Sequence, residues 1–266
     1  MALFSGQIAP HAHAAGALRV CAEPNNMPFS NAHGAGFENK LADMLAGNLH
    51  ETVRYTWIAE HEDFVKKTLD KGKCDAVMGV PAGFDEAETT QPYYASGYVF
   101  VSRTDRNLNL SSMRDPRLKR LAIGLHVLGD DNTPPQEALS RQGILGNVHG
   151  FMIYRDSSYG KAHSHLIDAV ADGKLDVAAV WGPLGGYYAK HSAVPLTVAP
   201  ITDTAGFGPV VFRYAISVGV RKGDDALRAK LDAALVRHKA DIRNLLIRYG
   251  IPLAKTQPSG SLTTGG

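Results

Sequence analysis

Three carboxylates have the clearest capacity for acid–base chemistry: Glu23, Asp85 and Glu86 lie in segments without helical or strand periodicity. Catalysis would require a partner, and the sequence marks none. It has no G-x-S-x-G nucleophile elbow, and its glycine-rich stretch 182–186 lacks the Lys-Ser/Thr pair that holds phosphate and Mg²⁺. Solvated carboxylates are the simpler interpretation, so we predict no catalytic residues and a protein that is not an enzyme.

Histidines are the second group that could do chemistry, as metal ligands. The residues in question are His11, His13, His126, His149, His163 and His165. An H-x-H pair can chelate a metal, but neither pair has a Cys or a carboxylate at a convincing ligand spacing. We therefore predict that these histidines lie on surfaces and loops, with no bound metal and no other cofactor.

Aromatic residues form the third group, and they suit binding rather than catalysis. The candidates are Phe29, Phe84, Tyr93, Tyr94, Trp181, Tyr187 and Tyr188. Most of them would pack in a core in any fold. Two or three that face a cleft would be enough to stack a flat ligand or to pack on a partner protein. The sequence leaves both possibilities open.

The elements that must position these residues alternate between strands and helices. Hydrophobic patterning predicts strands at 18–22, 53–57, 74–80, 97–101, 121–125, 150–154, 176–181, 196–200 and 214–220. It predicts helices at 36–46, 64–69, 135–141, 167–171 and 184–190, and two more after 225. Such alternation favours a parallel sheet whose ligands bind at the carboxyl ends of its strands. Here those ends lead into the loops 23–31 and 79–84, which lie on one edge.

The stretch 79–103 divides the chain into two units. A polar run and Pro92-Tyr93-Tyr94 precede the β-favouring residues 97–101, as expected of a strand that leaves one packed unit and enters another. A second unit follows, and 214–220 predicts a long returning strand. The segment 126–164 is rich in Gly, Asp, Asn, Pro and His, which is typical of a functional insertion.

Composition excludes several broad classes of protein. At 266 residues with 44% hydrophobic content, the chain can bury one large core or two ordinary ones. A formal net charge of +2 gives no general electrostatic case for binding nucleic acid or an anionic membrane. No apolar run approaches the roughly 18 residues that a membrane span needs. We expect neither nucleic-acid binding nor membrane insertion.

Several motifs occur in the order found in type II periplasmic solute-binding proteins, which this sequence resembles over about 18–253. They are Gly-Phe-Glu at 36–38, L-x-x-G-K-C-D-A-V-M-G at 69–79, Pro-Tyr-Tyr at 92–94, D-V-A-A-V-W-G-P at 176–183 and R-x-G-D-D-A-L at 221–227. Residues 20–31, 73–75 and 181–183 look more narrowly like the MxaJ/XoxJ branch. Members of that branch are periplasmic components encoded with quinoprotein (PQQ) methanol dehydrogenases.

The resemblance implies an α/β fold of two lobes, each a mostly parallel sheet flanked by helices, joined by two crossover strands. Lobe 1 would comprise 18–101 and 205–253, and lobe 2 would comprise 102–204. Residues 1–17 contain A-x-A-like sites but only a weak apolar centre, so they would be the tail of a signal peptide or a leader arm. Residues 254–266 would form a mobile tail.

The sequence departs from the amino-acid receptors of this family where they hold the two charges of an amino acid. They use an Arg after the third strand for the carboxylate, but here no Arg or Lys occurs between Lys73 and Arg103. They use an Asp for the ammonium where this chain has Trp181. An amino-acid ligand is therefore rejected. The residues predicted to line a cleft for another ligand or a partner are Glu23, Asn25, Phe29, Phe84, Tyr93, Tyr94 and Trp181.

Cys21 and Cys74 allow either one disulfide or two buried thiols, and their number alone does not decide between them. The exported family that the sequence resembles implies a disulfide. Cys21 lies near the end of its predicted strand, however, and Cys74 near the start of its own. The two can meet only if the strands are staggered or if Cys74 belongs to the turn that enters its strand.

The branch resemblance implies a periplasmic, non-enzymatic accessory factor of a PQQ-dependent methanol or alcohol dehydrogenase. Its partner would be that quinoprotein dehydrogenase, whose maturation or activation it would assist. The alternative is the receptor of an ABC transporter for a small ligand that is not an amino acid. The two-lobed scaffold favours this alternative, and the missing amino-acid clamp favours the first.

Overall fold

The computed structural model describes residues 16–59, 63–127, 132–153 and 164–254. Its twelve strands are β1 Ala17–Ala22, β2 Asn25–Asn26, β3 Ser30–Asn31, β4 Thr52–Trp57, β5 Ala76–Pro81, β6 Glu88–Thr89, β7 Tyr94–Arg103, β8 Ile123–Val127, β9 Val148–Met152, β10 Val177–Trp181, β11 Leu196–Pro200 and β12 Arg213–Val220. Its seven α-helices are α1 Phe37–Asn48, α2 Phe64–Thr68, α3 Pro134–Arg141, α4 His165–Ala171, α5 Gly182–Lys190, α6 Asp225–Arg237 and α7 Lys239–Arg248.

Each half of the main sheet is built on three parallel strands. In the first half β1 pairs in parallel with β4 and with β5. In the second half β8 pairs in parallel with β10 and with β9. Helices connect these strands and cover the central ones, β5, β8 and β10, which are mostly buried. On α1, Phe37, Leu41 and Leu45 form one stripe that is at most 1% exposed.

Strands β7 and β12 join the two halves. The first part of β7 pairs with β12, and its continuation from Tyr98 to Val101 pairs with β10. The resulting strand order is β4-β1-β5-β12-β7-β10-β8-β9. These joining strands run antiparallel to their neighbours, whereas the strands that carry the loops of each half remain parallel. The α/β architecture with two joining strands agrees with the sequence prediction.

Separate apolar clusters form the cores of the two halves. One contains Leu18, Phe37 and Val218, and others contain Phe100, Leu125 and Leu166. Phe207 and Phe212 pack in the second half although they fall within the predicted first lobe. We therefore propose that the chain returns to the first lobe at β12. The remaining lobe boundaries stay predictions.

Four strands were predicted with wrong boundaries, and one of them is β8, which was predicted at 121–125 and spans Ile123–Val127. β5 begins at Ala76 rather than at residue 74, because Cys74 and Asp75 belong to the turn that enters it. β7 runs through ten residues, since each of its halves has its own pairing partner. In the region predicted as an insertion, β9 begins at Val148 and pairs with β8. Residues 128–131 and 154–163 of that region, residues 1–15 of the leader arm and residues 255–266 of the tail lie outside the described residues.

The disulfide between Cys21 and Cys74 is present, with Cα atoms 5.5 Å apart. Cys21 is paired with Val77, three residues beyond Cys74, so the bridge runs from the end of β1 back to the turn before β5. This is the second of the two arrangements that the sequence left open. Both cysteines are buried, at 1% and 0% exposure.

Candidate functional site

A cavity of about 300 Å³ lies between the two halves of the sheet. It is lined by Gly79, Pro81, Tyr98, His126, Thr133, Ile153, Ala179, Val180, Trp181, Leu184, Tyr214 and Ile216. Gly79 and Pro81 belong to the end of β5, His126 to the end of β8 and Trp181 to the end of β10. The cavity therefore occupies the carboxyl edge of the parallel strands, where ligands of α/β sheets bind.

Trp181 forms one wall of this cavity together with two tyrosines. It lies directly opposite Tyr98 in the antiparallel pairing of β10 with β7, so the two side chains share a face. Their ring centroids are 5.6 Å apart, and the ring of Tyr214 lies 5.8 Å from Trp181 in an edge-to-face arrangement. These distances are typical of attractive aromatic contacts, which hold the three rings in place.

Among the described residues that line the cavity there is no Asp, Glu, Lys or Arg. Burial raises the pKa of the Tyr98 and Tyr214 phenols, and the Tyr214 phenol raises that of Tyr98 further. Both phenols are therefore protonated and neutral at physiological pH. An ionised ligand would lose its hydration here without gaining a counter-charge, at a cost of several kcal/mol.

Two other polar side chains lie beside the cavity in the second half. His126 and Thr133 are each 5% exposed. Thr133 occupies the N-cap position of α3, but its side chain makes no capping bond, and Pro135 at the N2 position has no N–H to offer. These two side chains make the lining polar at one place in the second half.

Of the residues predicted to line a cleft, Trp181 lines this cavity. Glu23 instead lines a separate space of about 40 Å³ in the first half, beside Asn39 and Glu38. Asn25 is exposed on β2. The ring centroids of Phe29 and Phe37 are 5.5 Å apart, and Phe29 packs against apolar clusters of both halves.

Phe84, Tyr93 and Tyr94 pack within the first half. Phe84 packs on the cluster that contains Cys21 and Cys74. Tyr94 is 5% exposed, and its ring contacts that of Phe37 edge-on with the ring centroids 6.0 Å apart. Burial raises the pKa of the Tyr93 phenol, and the nearby Glu38 carboxylate raises it further. These three residues support the first lobe rather than the walls of the 300 Å³ cavity.

Sequence reasoning missed Tyr98, Thr133 and Tyr214. It predicted His126 on a surface or loop, which is wrong, because His126 belongs to β8 and is 5% exposed. An aromatic residue in each predicted joining strand was a usable signal for Tyr98 and Tyr214, but their convergence depends on strand pairing. Within the described ranges no cluster of three or more His, Cys, Asp or Glu could hold a metal ion. His11, His13 and His163 lie outside those ranges.

Comparisons with known proteins agree with this architecture. The family model of bacterial extracellular solute-binding proteins, family 3, matches residues 18–250. Protein MoxJ of Methylorubrum extorquens is 33% identical over 252 residues, covering 90% of this chain and 82% of that protein. None of the described helices has the length and apolar character needed to cross a membrane.

Two solved structures of binding proteins are also similar to this chain. The crystal structure of MxaJ from Methlophaga aminisulfidivorans MPT has a TM-score of 0.78 and 28% identity, covering 89% of this chain and 100% of that one. The periplasmic binding protein XoxJ from Methylobacterium extorquens AM1 has a TM-score of 0.74 and 35% identity, covering 90% and 100%. The resemblance drawn from the sequence motifs is confirmed. This chain belongs to family 3 of the bacterial extracellular solute-binding proteins, in the branch that includes MoxJ, MxaJ and XoxJ.

Proposed function

We propose that this protein is a periplasmic, non-enzymatic accessory factor of a PQQ-dependent methanol or alcohol dehydrogenase. It binds the dehydrogenase, or a form of it that lacks cofactor, and assists its maturation or activation. The observation that carries the proposal is the similarity to MoxJ along 90% of this chain. The branch is one whose members are encoded with such dehydrogenases, as the sequence motifs imply.

The cavity supports this proposal because its described lining residues include no charged side chain. An amino-acid receptor needs a cation and an anion for its zwitterionic ligand, and the described lining residues include neither. What remains is an aromatic wall of Tyr98, Trp181 and Tyr214. Large aromatic side chains that lie in a desolvated pocket are the usual anchors of protein recognition. A scaffold that has lost its amino-acid clamp and kept such a wall is suited to binding a partner.

A capture experiment tests the proposal. The full chain is immobilised and offered the purified dehydrogenase, with and without PQQ, and the activity of the recovered enzyme is measured. We expect capture of one form and a rise in active enzyme. Trp181→Leu should weaken capture by about tenfold, the scale of a hot-spot residue, whereas Trp57→Leu, distant from the cavity lining, should not. No capture of either form and no change in activity would rule the proposal out.

The second candidate is a receptor that delivers a small solute to a membrane permease. The cavity favours it, since about 300 Å³ is within the range of small-molecule sites. A ligand at a hundred times its dissociation constant stabilises the folded state by roughly 2.7 kcal/mol. A thermal-shift screen of uncharged solutes therefore detects it, and a strong response without dehydrogenase capture would favour this candidate over the first.

We expect the twenty standard amino acids to leave the melting temperature unchanged at millimolar concentration. Each carries a carboxylate and an ammonium for which the described lining residues offer no counter-charge, so binding would cost several kcal/mol in lost hydration. The measurement is a thermal melt of the full chain with each amino acid, and an amino-acid receptor of the same family serves as the positive control. A saturable upward shift with any of them would contradict the assignment of an uncharged site.

A further inference from the structure

Among the described residues that line the cavity, Tyr98, Tyr214 and Thr133 have unused hydrogen-bonding capacity, and the two tyrosines adjoin Trp181. Neither the Tyr98 nor the Tyr214 hydroxyl makes a hydrogen bond to any other described residue, although both side chains line the cavity. Both rings contact Trp181 and are held by it. Each hydroxyl is therefore available to a ligand that enters the cavity and supplies a hydrogen-bond acceptor.

The two hydroxyls define the complementary group. Each phenol is protonated, because burial raises its pKa, and each therefore has an O–H to donate. A carbonyl oxygen has two lone pairs and can accept from both hydroxyls. A carboxylate also accepts two hydrogen bonds, but the described lining residues include no Lys or Arg to compensate its charge. The acceptor is therefore a neutral carbonyl.

The lining residues and the volume of the cavity indicate the size and polarity of the rest of the ligand. Trp181, Leu184 and Ile216 give the lining a predominantly apolar character. An apolar cavity of about 150 Å³ is large enough to bind benzene. The cavity here, at about 300 Å³, holds one aromatic ring with its substituents. Aromatic rings bind to such walls by offset stacking or edge-to-face contact.

We propose that the cavity binds an uncharged aromatic ring that carries a carbonyl group, with the carbonyl oxygen accepting hydrogen bonds from Tyr98 and Tyr214 and the ring packed on Trp181. This inference deepens the proposed function, since it names the chemistry of the cavity that the proposed function uses. The same chemistry has two sources, a free aromatic ketone or aldehyde and a phenylalanine residue with its own backbone carbonyl in a partner segment.

Isothermal titration calorimetry on the full chain tests the inference without any dehydrogenase, so its outcome is independent of the capture experiment. The probes are acetophenone, N-acetylphenylalanine amide, toluene and benzoate. We expect binding of acetophenone, of the blocked phenylalanine, or of both, and the pattern tells which source the site accepts. Toluene should bind more weakly because it has no acceptor, and benzoate should not bind because it is charged.

Conservative variants test the assignment of the two hydroxyls. Tyr98→Phe and Tyr214→Phe each remove one donor and keep the ring, so each should weaken binding of the carbonyl probe about fivefold and leave toluene unaffected. Tyr187→Phe is the matched control, since Tyr187 is not among the lining residues. The removed hydroxyls bond no described residue, so the variants should fold, and circular dichroism checks this. Failure of both carbonyl probes to bind, equal binding of toluene, tight binding of benzoate, or unchanged affinity in both variants would overturn the inference.

Discussion

Replacing Cys21 and Cys74 together by alanine is expected to lower the free energy of unfolding by about 4 kcal/mol. The bridge joins residues 53 positions apart. In the chain-entropy description, closing a loop of that length removes enough conformational freedom from the unfolded chain to account for this value. It is a large fraction of the 5–15 kcal/mol that typically separates folded and unfolded states. Alanine avoids burying a hydroxyl at positions that are 1% and 0% exposed.

Urea unfolding of the oxidised protein, the reduced protein and the double variant measures the effect. Reduction with dithiothreitol should cause a loss similar to that of the double variant, because both remove the same constraint from the unfolded chain. Thiol titration of the unfolded, unreduced protein should find no free thiol among the two cysteines. A double variant as stable as the oxidised protein would show that the bridge contributes no net stabilisation.

The disulfide also bears on the site through the strands that it connects. Cys21 stands one residue before the end of β1, and Cys74 precedes β5, which ends at Gly79–Pro81 beside the cavity. Loss of the bridge would remove one of the constraints on the turn that enters β5, which would still be held by the hydrogen bonds between Asp75 and Arg19 and by the bond from Arg221 to the Cys74 carbonyl. We therefore expect ligand binding to decline in the reduced protein at temperatures where the fold itself is still intact.

The sequence predicted the fold well because its signals are local. The apolar stripe of α1 and the buried strand at 177–181 follow from the spacing of residues within a single element. Trp181 could be named as a cleft candidate for a related reason, since it stands at a fixed place in the motif at 176–183. Phe84 was predicted from similar local features, but it packs beside the disulfide. That position depends on the register between β1 and β5.

The remainder of the cavity depends on register between distant segments. Tyr98 faces Trp181 only because residues 98–101 pair antiparallel with 178–181. Tyr214 reaches the same wall because β12 continues alongside β7. A shift of one residue in either pairing would turn these rings to the opposite face of the sheet. No feature within one segment specifies that register, so the aromatic wall could be recognised only from the folded chain.

Arg19→Met is expected to lower the free energy of unfolding by about 3 kcal/mol. Asp75 is 1% exposed and accepts hydrogen bonds from the Arg19 guanidinium, including one from Nε at 2.9 Å, and from the Arg19 backbone N–H at 3.1 Å. Removing the guanidinium leaves a buried carboxylate without its counter-charge, which typically costs 3–5 kcal/mol. The lower end of that range applies because the Arg19 side chain is 34% exposed and partly solvated.

Arg103→Met provides the matched control. Arg103 forms the same type of two-pronged pair with Asp105, but Asp105 is 60% exposed, so water replaces the lost partner and the expected change is under about 1 kcal/mol. Urea unfolding of both variants makes the comparison. In the double variant Arg19→Met with Asp75→Asn, part of the stability should return, because the penalty comes from the unpaired charge and the double variant no longer buries one. Equal losses in the two single variants, or no recovery in the double variant, would show that Arg19 stabilises β1 through packing of its methylene groups rather than through the charge of Asp75.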